Sequence, residues 1–187
     1  KLKCPYSNDC RKSFRSYIEY CLSMEETFVL ALQNHKKNNL EDAEDLYNKI
    51  LKKDPNHFES IYNLSKLLAQ TKRFNLAKPL LYKATKLKPN YEKAHNNLGI
   101  ILTKLKEEQK AINSFEKAIQ IDPTYTDAHY NLGIVLQELG EHKKAITNYE
   151  KAIHLKPGYA KAHNNLGIAL QELGEHKKAI TNYEKAI

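Results

Sequence analysis

Tryptophan is absent from the 187 residues, methionine occurs once, at position 24, and glycine and proline occur six times each. So few glycines leave no glycine-rich loop of the kind that cradles a nucleotide phosphate. The three cysteines, Cys4, Cys10 and Cys21, all precede residue 22, so they cannot staple the rest of the chain. Their odd number and their spacing match no zinc knuckle, and reduced thiols are the expectation. No run of about 18 apolar residues is present, which excludes a membrane-spanning helix. The start, Lys1 and Lys3 followed by Cys4-Pro5-Tyr6-Ser7, is basic but has no apolar core, so no secretory leader is read there and a cytoplasmic location is expected. There is no nucleophile elbow and no convergent carboxylate pair. A non-enzymatic protein without cofactor is expected. What is plentiful is positive charge: Lys+Arg 30 against Asp+Glu 22, a balance of +8, which raises the question of a nucleic-acid partner.

The chain repeats itself. Prolines at 55, 89, 123 and 157, alanines at 43, 77, 111, 145 and 179, and leucines at 64, 98, 132 and 166 all recur at intervals of 34. A fixed period of this size indicates stacked supersecondary units. The units run 24–57, 58–91, 92–125 and 126–159, with a partial fifth at 160–187. The fourth and fifth are nearly the same text over 128–153 and 162–187, differing only at Tyr130/Asn164 and Val135/Ala169.

Each unit reads as two helices. In the fourth, His129, Leu132, Gly133 and Leu136 fall at i, i+3, i+4 and i+7, one helical stripe. Gly140 and Glu141 end that helix, and Ala145, Tyr149 and Ala152 mark the stripe of the next. Gly133 and Ala145 permit close approach of the pair, with Tyr149 and Leu132 filling the space beside them. An Asp-Pro or Lys-Pro step closes each unit, because proline cannot continue a helix and biases its predecessor away from α. Strand signals are absent.

This pattern resembles the tetratricopeptide repeat. His129, Leu132, Gly133, Leu136, Ala145, Tyr149, Ala152 and Pro157 match its signature positions, as do His95, Leu98, Gly99, Leu102, Ala111, Phe115, Ala118 and Pro123 one unit earlier. Departures are His for the usual Trp at the fourth position of three units, Ser65 for Gly and Ile50 for Ala. The resemblance implies an all-α fold, a right-handed α-solenoid of helix-turn-helix repeats, over residues 24–187. It also implies a concave groove lined by the first helix of each unit, which takes a protein or peptide partner.

Within that implied groove the sixth position is Asn in four units: Asn63, Asn97, Asn131 and Asn165. A primary amide offers both donors and an acceptor, as a peptide bond does. With packed helices about 8–10 Å apart and an extended chain advancing about 3.3 Å per residue, such amides meet a bound backbone at every third residue. The ladder resembles that of the repeat domain of O-linked N-acetylglucosamine transferases, and the text AHNNLG is similar to that branch. The alternative for the same asparagines is a plain packing role, each bonding to a neighbouring helix. Beside them, Tyr62, Asn96, Tyr130 and Asn164 at the fifth position and Lys66 at the ninth complete the candidate peptide-binding set. Ile100, Ile134 and Ile168 suggest an apolar floor. The carboxylate clamp known in this family needs Lys at the fifth position and Asn at the ninth, which no unit supplies. Two functions follow: an interaction scaffold, or the substrate-recruiting arm of a larger glycosyltransferase-like enzyme.

The eight histidines suggest no metal site, since His95, His129 and His163 lie one per unit on a packing stripe and do not converge. His142 and His176 are expected at the surface. The charge is unevenly placed. Residues 1–23 carry +3, and the five units carry −2, +6, 0, 0 and +1. One basic unit is not a basic groove, so a nucleic-acid partner is not expected; an RNA-reading repeat would also run at a different period. Residues 1–23 read either as a capping helix over 12–22 or as a leader. At the other end Ala179, Ile180, Tyr183 and Ala186 have no following helix, which predicts end-to-end self-association.

Overall fold

The computed structural model describes residues 23–187. Cys4, Cys10, Cys21 and the capping-helix expectation lie outside them. Ten α-helices occupy the described residues, and no strand occurs among them: α1 (Met24–Lys36), α2 (Leu40–Lys53), α3 (Phe58–Gln70), α4 (Phe74–Leu87), α5 (Glu92–Lys104), α6 (Glu108–Ile121), α7 (Thr126–Glu138), α8 (His142–Leu155), α9 (Ala160–Glu172) and α10 (His176–Lys185). The chain divides into two compact units, with the division inside α3, between Leu67 and Leu68.

Local signals account for the helix ends. Ser23 opens α1 with a capping box: the Glu26 amide donates to Ser23 Oγ at 3.2 Å, and the Ser23 amide donates to Glu26 Oε2 at 2.8 Å. Those bonds hold the Glu26 carboxyl below its ordinary range. Helices α2, α4, α6 and α8 stop two residues before Pro55, Pro89, Pro123 and Pro157. Between the two helices of each pair one residue turns left-handed. These are Asn38, Lys72, Lys106, Gly140 and Gly174, with φ of 62°, 59°, 59°, 76° and 76°. They are spaced by 34, so the turn is part of the repeat. Glycine takes this conformation without strain, and Lys72 and Lys106 do not.

In the first unit α1 packs on α2 through Ala31 and Tyr47, both fully buried. Phe28 lies 6.2 Å from the Tyr47 ring and 5.4 Å from His57. Burial pushes the Tyr47 hydroxyl up to about 12.

In the second unit each pair is closed by an aromatic ring set against a glycine: Phe115 on Gly99, Tyr149 on Gly133 and Tyr183 on Gly167. A Cβ at those glycines would lie 2.6, 2.5 and 2.5 Å from the ring. Ala145, Tyr149 and Ala152 are fully buried, as the helical stripe predicts. Tyr149 Oη donates to Gln137 Oε1 at 2.8 Å. On α10, Ala179 is buried and Tyr183 closes on Gly167, while Ile180 is 58% exposed. The apolar stripe read there is thus largely covered by its own pair, leaving chiefly Ile180 outside.

The fourth-position histidines act as bolts. His129 and His163 are buried, and each Nε2–H donates to the carbonyl of the preceding proline, Pro123 at 3.1 Å and Pro157 at 3.0 Å. Nδ1 of each faces Asn148 or Asn182 of the following helix. These ring nitrogens are committed to protein partners, and no cluster of His, Cys, Asp or Glu among the described residues can hold a metal. His142 is less open than expected: its Nδ1 is buried without a hydrogen-bond partner.

Candidate functional site

Of the candidate residues, Tyr62, Asn63 and Lys66 belong to the first compact unit. Tyr62 stacks on Phe58 with ring centroids 6.0 Å apart and 3° between planes, and Lys66 Nζ stands 5.7 Å from the Tyr62 ring centre. Asn63 Nδ2 donates to the Glu59 carbonyl of its own helix at 2.8 Å. Tyr62 and Lys66 are therefore brought together, and one donor of Asn63 is turned back along α3.

The remaining six lie on α5, α7 and α9 of the second unit. There two of the sixth-position amides bond sideways to the fifth-position residue of the preceding pair. Asn131 Nδ2 donates to Asn96 Oδ1 at 3.0 Å, and Asn165 Nδ2 donates to Tyr130 Oη at 3.3 Å. Asn96 is 3% exposed, so it is a buried acceptor and no part of an open surface. Asn164 is exposed, and its Nδ2 donates to Asn165 Oδ1 at 3.3 Å. Asn97, Asn131 and Asn165 are half-buried. A primary amide has two N–H groups and two acceptor directions, so one lateral bond orients Asn131 without exhausting it.

The period explains what else shares this face. Asp127, Asn131, Ile134 and Glu138 fall at i, i+4, i+7 and i+11 along α7, one stripe. Lys93, Asn97, Ile100 and Lys104 do the same on α5. Between the two stripes lies a hollow of about 100 Å³, lined by Ile100, Thr103, Lys104, Phe115, Asn131, Ile134, Val135 and Glu138. Ile100 and Ile134 supply the apolar floor read from the repeat, and Asn131 stands at its wall. A larger hollow of about 460 Å³ lies between α6 and α8, over Ile112, Leu132, Leu136 and Leu139. Two of its charged residues, Lys144 and Glu141, are paired with each other at 3.3 Å, and its two amides, Asn148 and Gln109, donate along their own helices to the Lys144 carbonyl and to Asn113 Oδ1.

Sequence reasoning passed over the aromatic edge. Tyr91, Tyr125 and Tyr159 are 34 apart and stand at the N-caps of α5, α7 and α9 without a capping side-chain bond. Their identical spacing was the signal available. Tyr159 lies 4.9 Å from Tyr130, and Tyr130 lies 6.1 Å from Tyr149. Tyr159 Oη donates to Asp127 Oδ1 at 3.4 Å, and Lys156 Nζ sits 4.9 Å from the Tyr159 ring centre. Burial, with Asp127 next in weight, pushes the Tyr159 hydroxyl up to about 12. Tyr125 is likewise pushed to about 12 by burial and then by Asp127 and Glu92. These phenols stay protonated and act as neutral walls with a donor tip.

Helix-turn-helix pairs closed by a glycine–aromatic contact, stacked with lateral amide bonds between first helices, define a helical-repeat protein. Tetratricopeptide repeat models match residues 58–91 and 125–187, and a TPR repeat model matches residues 101–140. A crystal structure of MamA protein is similar at 32% identity, covering 87% of this chain and 89% of that one, with a TM-score of 0.80. The chain belongs to the tetratricopeptide repeat family. MamA residues 41 to the end from Desulfovibrio magneticus RS-1 match at 24% identity and a TM-score of 0.81, over 87% of this chain and 92% of that one. YrrB, described as a TPR protein with an unusual peptide-binding site, matches at 22% identity and a TM-score of 0.74, over 95% of this chain and 90% of that one. At those identities the likeness is one of fold. Compared with curated proteins, the sequence finds no significant match. No helix among the described residues is long and apolar enough to cross a membrane.

Proposed function

We propose that the protein is a non-enzymatic scaffold that holds an extended polypeptide segment along the first helices of its second unit, with Asn97, Asn131 and Asn165 gripping the segment's backbone, and that Asn63 offers the same kind of amide in the first unit. The observation that carries this reading is the hollow between α5 and α7. It joins an apolar floor, Ile100 and Ile134, to an amide whose orientation is already set by its bond to Asn96. An amide held in place before binding loses less freedom on contact than a free side chain. Each backbone bond adds about 1 kcal/mol, so the three rungs of the second unit give modest affinity that is indifferent to side-chain identity. Tyr62, Lys66, Tyr130 and Asn164 stand beside the rungs, and Asn96 serves as an anchor for one of them. A protein described as peptide-binding among the similar structures supports the same reading.

Calorimetric titration with extended peptides tests it. Ile134→Lys, which fills the hollow with a charge, is expected to weaken binding at least several-fold. The quadruple change of Asn63, Asn97, Asn131 and Asn165 to Ala is expected to abolish it while the helical content remains. Unchanged affinity in both variants refutes the reading.

The AHNNLG text of α5 and α9 favours a second reading, in which the groove recruits substrate for a glycosyltransferase-like domain in the same polypeptide. Sequencing the complete transcript distinguishes the two. Both readings place the protein in the cytoplasm, and self-association through the exposed Ile180 of α10 belongs to the same proposal. A mass independent of concentration in light scattering counts against that last part.

A further inference from the structure

The stripes of α5 and α7 carry the same pattern, charge–amide–isoleucine–charge, but with opposite signs. Lys93 and Lys104 lie at the second and last residues of α5. Asp127 and Glu138 occupy the equivalent places on α7. All four are exposed. None is held in an ion pair among the described residues, whereas at the N-caps of second helices Glu107 is bridged by Lys78 and Lys110, at 2.8 and 2.7 Å, and Glu175 pairs with Lys178 at 2.6 Å. Lys104 and Glu138 also border the hollow of about 100 Å³.

The two charges on each helix are eleven residues apart, about 16 Å along its axis, so they stand on opposite rims of the groove. A ligand side chain above α5 therefore meets a lysine whichever rim it leans toward, and one above α7 meets a carboxylate. Neighbouring packed helices are about 8–10 Å apart, which is three residues of an extended chain. We propose that this stretch of groove selects a zwitterionic segment. An acidic side chain lies over α5, a basic one lies three residues away over α7, and an apolar residue between them sits on Ile100 and Ile134. The inference rests on the peptide-binding reading above and adds the chemistry of the ligand.

Fluorescence anisotropy with a set of labelled extended peptides tests it. The set has one common apolar background and carries, three residues apart, Glu and Lys in either order, two Glu, two Lys, or two Gln. At low salt the Glu/Lys peptides are expected to bind about two- to thirtyfold more tightly than the others, the range for two solvent-exposed ion pairs. The margin shrinks in 0.5 M salt as screening grows. The variant D127K/E138K makes both stations basic and is expected to prefer the two-Glu peptide. E138K alone, with Asp127 and its Tyr159 contact intact, is expected to move part of the way. Equal binding of all peptides, or an unchanged order in the variants, overturns the charge selection and leaves the groove standing. Failure of every peptide to bind overturns the groove reading and this inference together.

Discussion

Gly133→Ala is the most direct probe of how the repeats hold together. A Cβ built on Gly133 lies 2.5 Å from Tyr149 Cε1, 2.7 Å from Cδ1 and 3.1 Å from Cζ. Tyr149 is fully buried and its hydroxyl is tied to Gln137 Oε1, so the ring has nowhere to swing. Two effects oppose each other. Alanine gains about 1 kcal/mol in helix propensity over glycine. Overpacking a filled site costs about 1–3 kcal/mol, and displacing the ring weakens a hydrogen bond worth about 1 kcal/mol. Packing wins, with a net loss of about 1–3 kcal/mol, or a fall of about 3–10 °C in Tm for a chain of this length. Gly158→Ala is the control, since its Cβ meets nothing within 4 Å. That variant is expected to match the wild type or exceed it slightly. Circular dichroism melts of the two variants and of Gly133→Ala in a Tyr149→Ala background complete the test. The double variant should lose less than the sum of the singles, because the second change opens the space the first one needs. A Gly133→Ala protein as stable as Gly158→Ala, or strict additivity with Tyr149→Ala, refutes the close-packing argument.

Three further outcomes follow from the same structure. Lys106→Gly relieves a left-handed lysine at φ 59° and should stabilise the protein by about 1 kcal/mol, read as a higher denaturant midpoint; an unchanged or lower midpoint contradicts the strain. Asn131→Ala leaves the buried Asn96 Oδ1 without its donor and should cost about 1–3 kcal/mol, whereas Asn96→Ala should spare the outward face of Asn131 and cost peptide affinity only through loss of orientation; equal effects on stability and binding in both variants would contradict the division of roles. The third concerns pH. His95 is held below its ordinary 6.5 by burial, opposed by its bond to the Pro89 carbonyl, with Lys117 adding to the depression. The unfolded chain thus binds the proton more readily, so stability is full above about 6.5 and declines as pH falls through the folded value. NMR titration should place His95 below 6.5, and the acid side of a stability–pH curve should flatten in His95→Gln.

Much of the fold was legible in the sequence because a repeat exposes its own rules. Each constraint appears several times at one spacing: the proline stop, the alanine stripe, the glycine facing an aromatic. Ala145 and Tyr149 could be assigned to the core because Ala111 with Phe115 and Ala179 with Tyr183 say the same thing. The left-handed turn was harder to see, since Asn38, Lys72 and Lys106 do not announce it as Gly140 and Gly174 do. The candidate groove was legible in outline only. Its isoleucine floor follows from helical period alone, but the tyrosines at the N-caps lie outside the helical stripe that this period defines.

The sequence by itself determined the class of the protein, the phase of the helices among the described residues and the residues that share each helix face, because these depend on spacing along the chain. Only the tertiary structure shows which neighbours the asparagines bond. Whether Asn131 faces an incoming peptide or its neighbour depends on how close Asn96 of another helix comes, and that distance, 3.0 Å between side-chain atoms of residues 35 apart in sequence, is set by packing between helices. Tyr130, Tyr149 and Tyr159 become one cluster for the same reason. Period dictates which side chains look outward, and the approach of one repeat to the next dictates which of those already have a partner.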